Sequence, residues 1–370
     1  MGMSASPNPL SELLDQKGVL VADGGMGTSL FAAGLRPGET PERWNVERPE
    51  AVIAVHQGFI GAGADIILTN TFGGARTRLD LDGLGDRVAG LNAAGVVAAR
   101  EASAGSSVIV AGSVGPTGAL FEPLGPMTHD EAVEIFAEQM EALAAAGTDL
   151  LWIETLSSVE ELAAAVAAAE QTGLPFVTTM SFDTNGSTMM GVAPTALAEW
   201  WKARRYAEPE PEVADGEERK GIPAQRQRST QRRAISYPIA IGANCGVGPA
   251  DAVLAAHQIN AAGAEVAVVA KGNCGIPEVI DGQLWYPASS DDMSAYAELA
   301  LDAGVSIIGA CCGSTPEHIA QIRRVVDTYQ PAESLDADEV EHRLGKVDRP
   351  ADRTKRRSRR RSARAVTSVD

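Results

Sequence analysis

Three of the four cysteines are the residues whose type and position most clearly suggest chemistry. Cys245 follows one apolar run of the sequence, and the adjacent pair Cys311 and Cys312 follows another. If both runs are strands that end at one face, the backbone can bend so that the three thiols converge, and Gly309 and Gly313 supply that freedom. Three thiolates leave the fourth position of a tetrahedral zinc ion open, which is typical of a catalytic site. A substrate thiol bound there loses its proton and becomes a nucleophile near neutral pH.

Spacing alone leaves other interpretations of the cysteines open. Cys311 and Cys312 also fit a buried apolar pair, since free cysteine packs like a small hydrophobic residue, or a redox-active vicinal disulfide. Cys245 alone fits an unrelated core position. The sequence contains no CxxC or HExxH motif that would support a metal site. We interpret the remaining thiol, Cys274, as a turn residue near the site, because a fourth thiolate would close the open position.

Two carboxylates occupy similar positions. Asp23 and Glu154 each follow an apolar run and fall in a predicted turn. A carboxylate at such a position can pair with the ammonium group of a substrate. Helix N-capping by Asp23 and a salt bridge at the rim are the structural alternatives.

The elements that must position these residues form a repeated pattern. A short apolar, β-rich run ends in a polar or Gly-rich turn, and an Ala-rich helical stretch follows. Eight such units match the count of a (β/α)₈ TIM barrel, in which all eight turns share the face where active sites are built. A doubly wound open sheet is the alternative. The eight runs are residues 19–22, 65–68, 108–111, 149–153, 176–179, 239–242, 266–269 and 305–309.

The pattern predicts one domain with two polar additions. Residues 1–14 form an N-terminal segment and residues 15–330 form the barrel. Residues 203–237 have almost no apolar side chains, which predicts a flexible, disordered insertion. Residues 331–370 form a polar tail that we predict to be disordered, and its last 20 residues contain eight Lys or Arg and two Asp.

Composition excludes several classes of protein. The net charge of −18 argues against nucleic acid as the main partner. No stretch approaches the ~20 uncharged apolar residues of a membrane span, and the start lacks the pattern of a secretory signal. Four cysteines in the second half of the chain indicate metal binding or catalysis rather than a disulfide scaffold. These features predict a cytoplasmic enzyme acting on small molecules, with homo-oligomer formation left open.

Several motifs resemble those of the homocysteine S-methyltransferase family. Residues 241–246 and 308–318 are similar to its two zinc motifs. Residues 23–28, 69–72 and 112–118 are similar to its other strand-end motifs, and the match runs in order from about residue 15 to residue 328. The resemblance implies a single barrel that holds Zn²⁺ through Cys245, Cys311 and Cys312.

The resemblance also implies a reaction and a substrate site. The family transfers a methyl group to the thiol of L-homocysteine to give methionine. It places an acid at the positions of Asp23 and Glu154 to bind the amino acid. Five further residues are candidates to bind the substrate carboxylate through hydroxyl, amide or backbone N–H groups: Gly24, Gly25, Thr69, Asn70 and Ser113.

The methyl donor varies within the family. Details of the sequence look most like bacterial betaine–homocysteine methyltransferases, which implies betaine as donor. A quaternary ammonium donor needs an aromatic cage, and four residues are candidates for it: Trp44, Phe72, Trp285 and Tyr286. One departure is Gly73, where animal betaine enzymes carry an aromatic residue. S-methylmethionine, S-adenosylmethionine and a methylcobalamin/methyltetrahydrofolate system are the alternatives, and the last would need a separate partner chain.

Two hypotheses from other classes also fit the pattern. Lys271 follows a predicted strand and could form a Schiff base with a carbonyl substrate, as in an aldolase. In the second hypothesis the protein is a non-catalytic binding protein and its zinc is structural.

Overall fold

Eight parallel strands form the centre of the structure. The computed structural model describes residues 8–205, 237–280, 283–332, 334–345 and 347. A hairpin of β8 (Glu278–Ile280) and β9 (Gln283–Trp285) follows the seventh sheet strand. The eight sheet strands are β1 (Leu20–Val21), β2 (Ile66–Leu68), β3 (Ile109–Val114), β4 (Leu150–Leu156), β5 (Phe176–Met180), β6 (Ala240–Cys245), β7 (Ala267–Gly272) and β10 (Ile307–Ala310).

Helices follow the strands along the chain. α7 and α11 begin at capping boxes, in which Thr128 with Glu131 and Ser289 with Asp292 satisfy free backbone N–H groups. The helices are α1 (Pro9–Lys17), α2 (Met26–Ala32), α3 (Trp44–Glu47), α4 (Pro49–Gly61), α5 (Arg76–Leu79), α6 (Val88–Ala102), α7 (His129–Ala145), α8 (Val159–Thr172), α9 (Pro194–Arg205), α10 (Pro249–Ala261), α11 (Ser290–Asp302), α12 (Pro316–Thr328) and α13 (Ala337–Leu344). Short 3₁₀ turns lie at Pro41–Arg43, Asp80–Asp82 and Gly85–Arg87.

The sheet closes on itself. Its strands are hydrogen-bonded in the order β1-β10-β7-β6-β5-β4-β3-β2. Ala22 bridges Ile66 in parallel, and the Asp65 N–H donates to the Val21 carbonyl at 2.7 Å, so the two end strands are joined. The order never reverses, as it would at the switch point of a doubly wound sheet. The predicted (β/α)₈ barrel is therefore confirmed, and the open-sheet alternative is wrong.

Alternate residues along each strand divide the core into two layers. Leu150 and Trp152 of β4 point into the barrel, where Val177 of β5 joins them. Leu151 and Ile153 point outward and pack under the helices. Because side chains fill the interior, a site can form only at an end of the barrel. The turns that follow the carboxyl ends of the strands carry the cysteines and acids of interest.

Both ends of the barrel domain differ from the predicted boundaries. Leu10 of α1 is buried in the interior cluster of the barrel, so the described part of segment 1–14 belongs to the barrel. α13 lies within the predicted tail 331–370, and the prediction of disorder is wrong over Ala337–Leu344. That helix is held because Val340 is buried and Arg343 pairs with Glu298 at 2.5 Å. Residues 348–370, which contain the basic run, lie outside the described residues.

Most of the predicted insertion 203–237 also lies outside the described residues, which stop at 205 and resume at 237. α9 ends at Arg205 and β6 begins at Ala240. The two ends of the insertion therefore lie at the amino-terminal ends of the strands, on the face opposite the cysteine turns. Among the described residues, no helix combines the length and apolar character that a membrane span requires.

Candidate metal centre and acceptor pocket

Three thiols converge at the carboxyl ends of the strands. Cys245 ends β6, and Cys311 and Cys312 follow β10. Their Sγ atoms all lie within 4.8 Å of one another, close to the edge of a zinc–sulfur tetrahedron, which is about 3.8 Å for bonds of 2.3 Å. The Cys245 and Cys311 Sγ atoms, at 2.9 Å, are closer than that edge, so a bound ion would spread this pair. Thiol type, number and convergence fit a zinc ion with one open position.

The backbone at these turns adopts conformations that few residues accept. Cys245 has φ 55° and Gly246 has φ 78°, both in the left-handed region. Gly313 has φ 82°, and a Cβ there would lie 2.1 Å from the Tyr286 ring. Gly309 has a different role from the predicted one, because its φ is not positive. A Cβ at Gly309 would lie 2.9 Å from Ala22, so this glycine permits close packing of β10 against β1.

Asn273, which sequence reasoning did not select, ties the two cysteine turns together. Its Oδ1 accepts the Cys312 N–H at 2.9 Å, and its Nδ2 donates to the Gly246 carbonyl at 2.7 Å. The neighbouring Cys274 donates its N–H to the Cys312 carbonyl at 2.9 Å. Its side chain is buried outside the thiol cluster, and burial raises the pKa of its thiol to about 12. Cys274 therefore supports the turn through its backbone.

The electrostatics of the cluster favour a cation. Hydrogen bonds from the Cys245 and Cys311 thiols lower the pKa of Cys312 to about 4. Hydrogen bonds that the Cys245 thiol donates to its two neighbours, together with burial, raise the pKa of Cys245. Cys312 therefore ionises, while Cys245 and Cys311 keep their protons. Ionisation of all three requires a positive charge among the sulfurs, which is what zinc supplies.

A cavity of about 570 Å³ opens above the thiols. All seven predicted substrate-binding residues line it: Asp23, Gly24, Gly25, Thr69, Asn70, Ser113 and Glu154. Their hydrogen bonds show which of them have polar atoms left for a ligand.

Glu154 retains capacity to accept hydrogen bonds. Its Oε1 accepts the Ser113 hydroxyl at 2.6 Å, and its Oε2 has only a long contact with Asn244 Nδ2, at 3.4 Å. Burial raises the pKa of Glu154 to about 7. A cationic group entering the cavity would favour the ionised form of this carboxyl group.

Glu154 continues the inward alternation of Leu150 and Trp152, and a β-bulge follows it. The register between β4 and β5 shifts between Ile153 and Leu156, and Thr155 has φ 63°, which is strained for a β-branched residue. Asn244 holds this conformation. Its Oδ1 accepts the Thr155 N–H at 2.9 Å, and its Nδ2 donates to Thr155 Oγ1 at 2.7 Å. Asn244 directly precedes Cys245, so its place in that motif was the sequence signal that could have identified it.

Asp23, the second predicted partner of a substrate ammonium group, is already paired. Its Oδ1 accepts from Lys271 Nζ at 2.6 Å and its Oδ2 accepts the Leu68 N–H at 2.7 Å. The Asp23 side chain is 1% exposed. Burial raises the pKa of Asp23, and the Lys271 charge opposes that shift. Asp23 therefore holds Lys271 in place rather than presenting a free carboxylate.

Four of the five residues predicted to bind a substrate carboxylate use their donors within the protein: Gly25, Thr69, Asn70 and Ser113. Thr69 Oγ1 contacts Thr71 Oγ1 at 2.6 Å and accepts the Ser113 N–H at 3.0 Å. Asn70 Nδ2 donates to the Pro41 carbonyl at 2.8 Å and to Asn45 at 2.9 Å. The Gly25 N–H donates to Ser314 Oγ at 2.9 Å. These residues build the cavity wall.

Lys271 lies at the floor of the cavity. β7 runs between β6 and β10, and Lys271 pairs in register with Asn244 and Gly309. Its Nζ lies 5.6 Å from the centre of the Trp152 ring, at a distance suited to a cation–π contact. Burial alone would lower the pKa of Lys271, but the charges of Asp23 and Glu154 outweigh it and the net shift is upward. The amine is therefore a buried cation.

The sequence model described as homocysteine S-methyltransferase matches residues 20–326. The chain belongs to this family. Two relatives are the methionine synthases of Mycobacterium leprae and Mycobacterium tuberculosis, which are 28% and 27% identical over 335 residues and 86% of this chain. The chain spans 25% of the length of these curated relatives.

Solved structures of a homocysteine methyltransferase share the fold. The metallated form of MmuM from Escherichia coli gives a TM-score of 0.66 at 22% identity, covering 86% of this chain and 99% of that one. The apo form gives a TM-score of 0.60 at 20% identity, with the same coverage. At 20–22% sequence identity, this structural similarity establishes the barrel fold alone.

In this homocysteine S-methyltransferase family member, two of the four predicted cage residues reach the cavity. Phe72, which is 38% exposed, and Tyr286 line it. Trp44 is 6% exposed and packs with Leu30 in a separate cluster, so it does not line the cavity. Trp285, in β9, is 47% exposed and lies outside the lining. A sequence pattern reports aromatic type, whereas packing decides which rings face the cavity.

The mouth also contains charged residues that sequence reasoning missed. Glu42 is 3% exposed, and its Oε1 accepts the Gly73 N–H at 2.6 Å. A Cβ at Gly73 would lie 3.0 Å from that oxygen, so a larger residue would displace Glu42. Glu39, Asp82 and Arg78 also line the cavity. A polar wall therefore stands beside Gly73 at the mouth.

Proposed function

We propose that this chain transfers a methyl group to the sulfur of L-homocysteine, forming methionine, and that the reaction depends on zinc. The observation that carries the proposal is the cluster of three thiols on the floor of a cavity that also contains Glu154. Three protein thiolates leave one tetrahedral position for a substrate thiol. Glu154 offers a carboxylate for the ammonium group of an amino acid bound there.

Each residue of the site has a proposed role. Cys245, Cys311 and Cys312 would hold the zinc, which as a Lewis acid favours the thiolate form of the acceptor. Glu154 would bind the acceptor ammonium group, and Ser113 would orient that carboxylate through its 2.6 Å hydrogen bond. An electron pair of the acceptor sulfur forms the new S–CH₃ bond. The bond between the methyl carbon and the donor breaks, and its electron pair leaves with the donor heteroatom.

Betaine is the proposed donor. The rings of Phe72 and Tyr286 offer faces to a quaternary ammonium group, and the carboxylates at the mouth add negative potential. Arg78 offers a guanidinium to the betaine carboxylate. With betaine, the electron pair of the broken C–N bond remains on nitrogen and leaves dimethylglycine.

The same wall also fits S-methylmethionine, which combines a positive sulfonium with a carboxylate, so this donor is the first alternative. A methylcobalamin or methyltetrahydrofolate system is the second. Because the chain spans a quarter of the methionine synthases it matches, another domain or a partner chain would deliver such a donor.

Lys271 is poorly suited to the alternative role of a Schiff-base nucleophile. A Schiff base requires a neutral amine, whereas this amine is paired with Asp23 at 2.6 Å. The proposed compartment is the cytoplasm, whose reducing conditions keep the thiols free to bind metal.

A donor-panel assay tests the proposal. Zinc-loaded protein and L-homocysteine are incubated with betaine, S-methylmethionine, S-adenosylmethionine or methylcobalamin, and methionine is measured. We expect methionine with betaine, loss of the product after chelation, and recovery on adding zinc. Methionine with another donor would replace betaine in the proposal. No methionine with any donor, in protein with one zinc per chain, would contradict the proposed reaction.

A further inference from the structure

The cavity floor contains a buried cation that the proposed reaction has not yet used. Among the residues that the structure describes, two cations line the cavity, Lys271 and Arg78. Arg78 lies at the mouth, beside Gly118 and within electrostatic range of Glu42. Lys271 lies at the floor, on the strand between the two that lead to the cysteines.

The lysine ammonium group has unused hydrogen-bonding capacity. It has three N–H donors, and the described residues supply one hydrogen-bond acceptor, Asp23 Oδ1 at 2.6 Å. By contrast, the donors of Thr69, Asn70 and Gly25 are already engaged. Among the described lining residues, Lys271 is therefore the charged donor at the floor that has capacity left for an anionic group.

Lys271 and Glu154 have opposite charges and lie within electrostatic range of each other. In an α-amino acid the ammonium and carboxylate groups share one carbon atom, so their binding partners must also lie near each other. We propose that Lys271 binds the α-carboxylate of the acceptor amino acid while Glu154 binds its α-ammonium group. Asp23 is then a positioning residue that fixes the Lys271 ammonium. This inference rests on the proposed function and adds to it a requirement for a zwitterionic thiol.

The inference is tested by removing the carboxylate from the ligand and, separately, the ammonium group of Lys271 from the protein. The compound 3-aminopropane-1-thiol is homocysteine without its carboxylate. Binding of both thiols to the zinc-loaded protein is measured by calorimetry for the parent and for Lys271→Met. We expect the substitution to weaken homocysteine binding about 10- to 100-fold, the usual worth of a charged hydrogen bond. We expect the affinity for the aminothiol to change less than about threefold.

Two further variants control for other effects. Lys271→Met leaves Asp23 buried without its partner, which can destabilise the fold. The double variant Asp23→Asn/Lys271→Met removes both charges, and we expect it to show the same selective loss of homocysteine affinity at full zinc content. Lys202→Met removes a lysine whose Nζ bonds the Ala262 carbonyl outside the cavity, and it should change neither affinity.

The outcomes separate this inference from the proposed function. An equal loss of affinity for both thiols would mean that Lys271 acts through Asp23 or the metal, and it would overturn the carboxylate contact while leaving the proposed function intact. A zinc-loaded parent that fails to bind homocysteine would overturn the proposed function and this contact together.

Discussion

The floor and the mouth of the cavity are built by different means. At the floor, Asn273 holds the turn after the strained Cys245 by bonding the Gly246 carbonyl, and Asn244 of β6 holds the strained Thr155. At the mouth, Phe72 is 38% exposed and extends from a loop. Strained backbone costs about 1–3 kcal/mol per residue and persists only where the surroundings enforce it. The comparison indicates that the thiol floor is held in place by hydrogen bonds, whereas the proposed donor side includes a more exposed ring.

The largest expected effect comes from removing a thiol at the floor. Cys311→Ala should abolish zinc binding and methionine formation, because two thiolates cannot complete the three-sulfur site. Metal content by mass spectrometry and the methionine assay measure both losses. Cys274→Ala is the matched control and should keep zinc and activity, since its sulfur lies outside the cluster. Full zinc occupancy in Cys311→Ala would show that the metal is held elsewhere.

A second change at the floor should affect the acceptor but not the metal. Glu154→Gln should keep zinc and weaken homocysteine binding by about 1.5–3 kcal/mol, the worth of a charge-assisted contact. Calorimetry on the zinc-loaded protein measures this loss. Glu160→Gln, at an exposed position on α8, is the control. Unchanged affinity in Glu154→Gln would remove Glu154 from the acceptor site.

The pH dependence of homocysteine binding gives a second test of Glu154. Burial raises the pKa of Glu154 to about 7, so below pH 7 the free protein carries a protonated carboxyl group that cannot attract an ammonium ion. The parent should therefore bind homocysteine more tightly at pH 8 than at pH 6, and Glu154→Gln should lose that part of the dependence.

The free energy of unfolding of the ligand-free protein should change with pH in the opposite direction. A carboxyl group with a raised folded-state pKa destabilises the fold as pH rises from about 4.3 through 7.

A change at the mouth should affect only the donor. Phe72→Ala should raise the KM for betaine about 2- to 30-fold, which corresponds to the loss of one cation–π face. Zinc content and homocysteine affinity should stay at the parent values. Leu124→Ala, at a 69% exposed position outside the cavity lining, is the control. If Phe72→Ala lowered zinc content, the floor and the mouth would be coupled, and the metal site would depend on the wall at the mouth.

The smallest effect is expected on the opposite face of the barrel. Deleting residues 208–235 and joining the ends with a short Gly/Ser linker should change zinc content, homocysteine affinity and betaine KM by less than about twofold, since α9 ends and β6 begins away from the mouth. Steady-state kinetics on the deletion variant measure this. A large loss of activity would show that the segment reaches the cavity.

The sequence by itself indicated the barrel, with an open sheet as the alternative, and marked the three thiols as candidates for a common site. Each strand is an apolar run followed by its own turn, and Cys245, Cys311 and Cys312 each lie directly after such a run. These are local properties of contiguous residues, so they can be read without knowing what packs against them. Gly313 belongs to the same class, because its φ of 82° is a requirement of the turn that contains it.

Only the tertiary structure decided which polar groups are available to a ligand. Asp23 and Glu154 have the same sequence context, yet Asp23 is paired with Lys271, 248 residues away, while Glu154 retains a weakly bonded oxygen. Likewise Phe72 reaches the cavity and Trp44 does not. The physical reason is that burial and hydrogen bonding depend on partners brought together by closure of the sheet, and no stretch of contiguous sequence contains both partners.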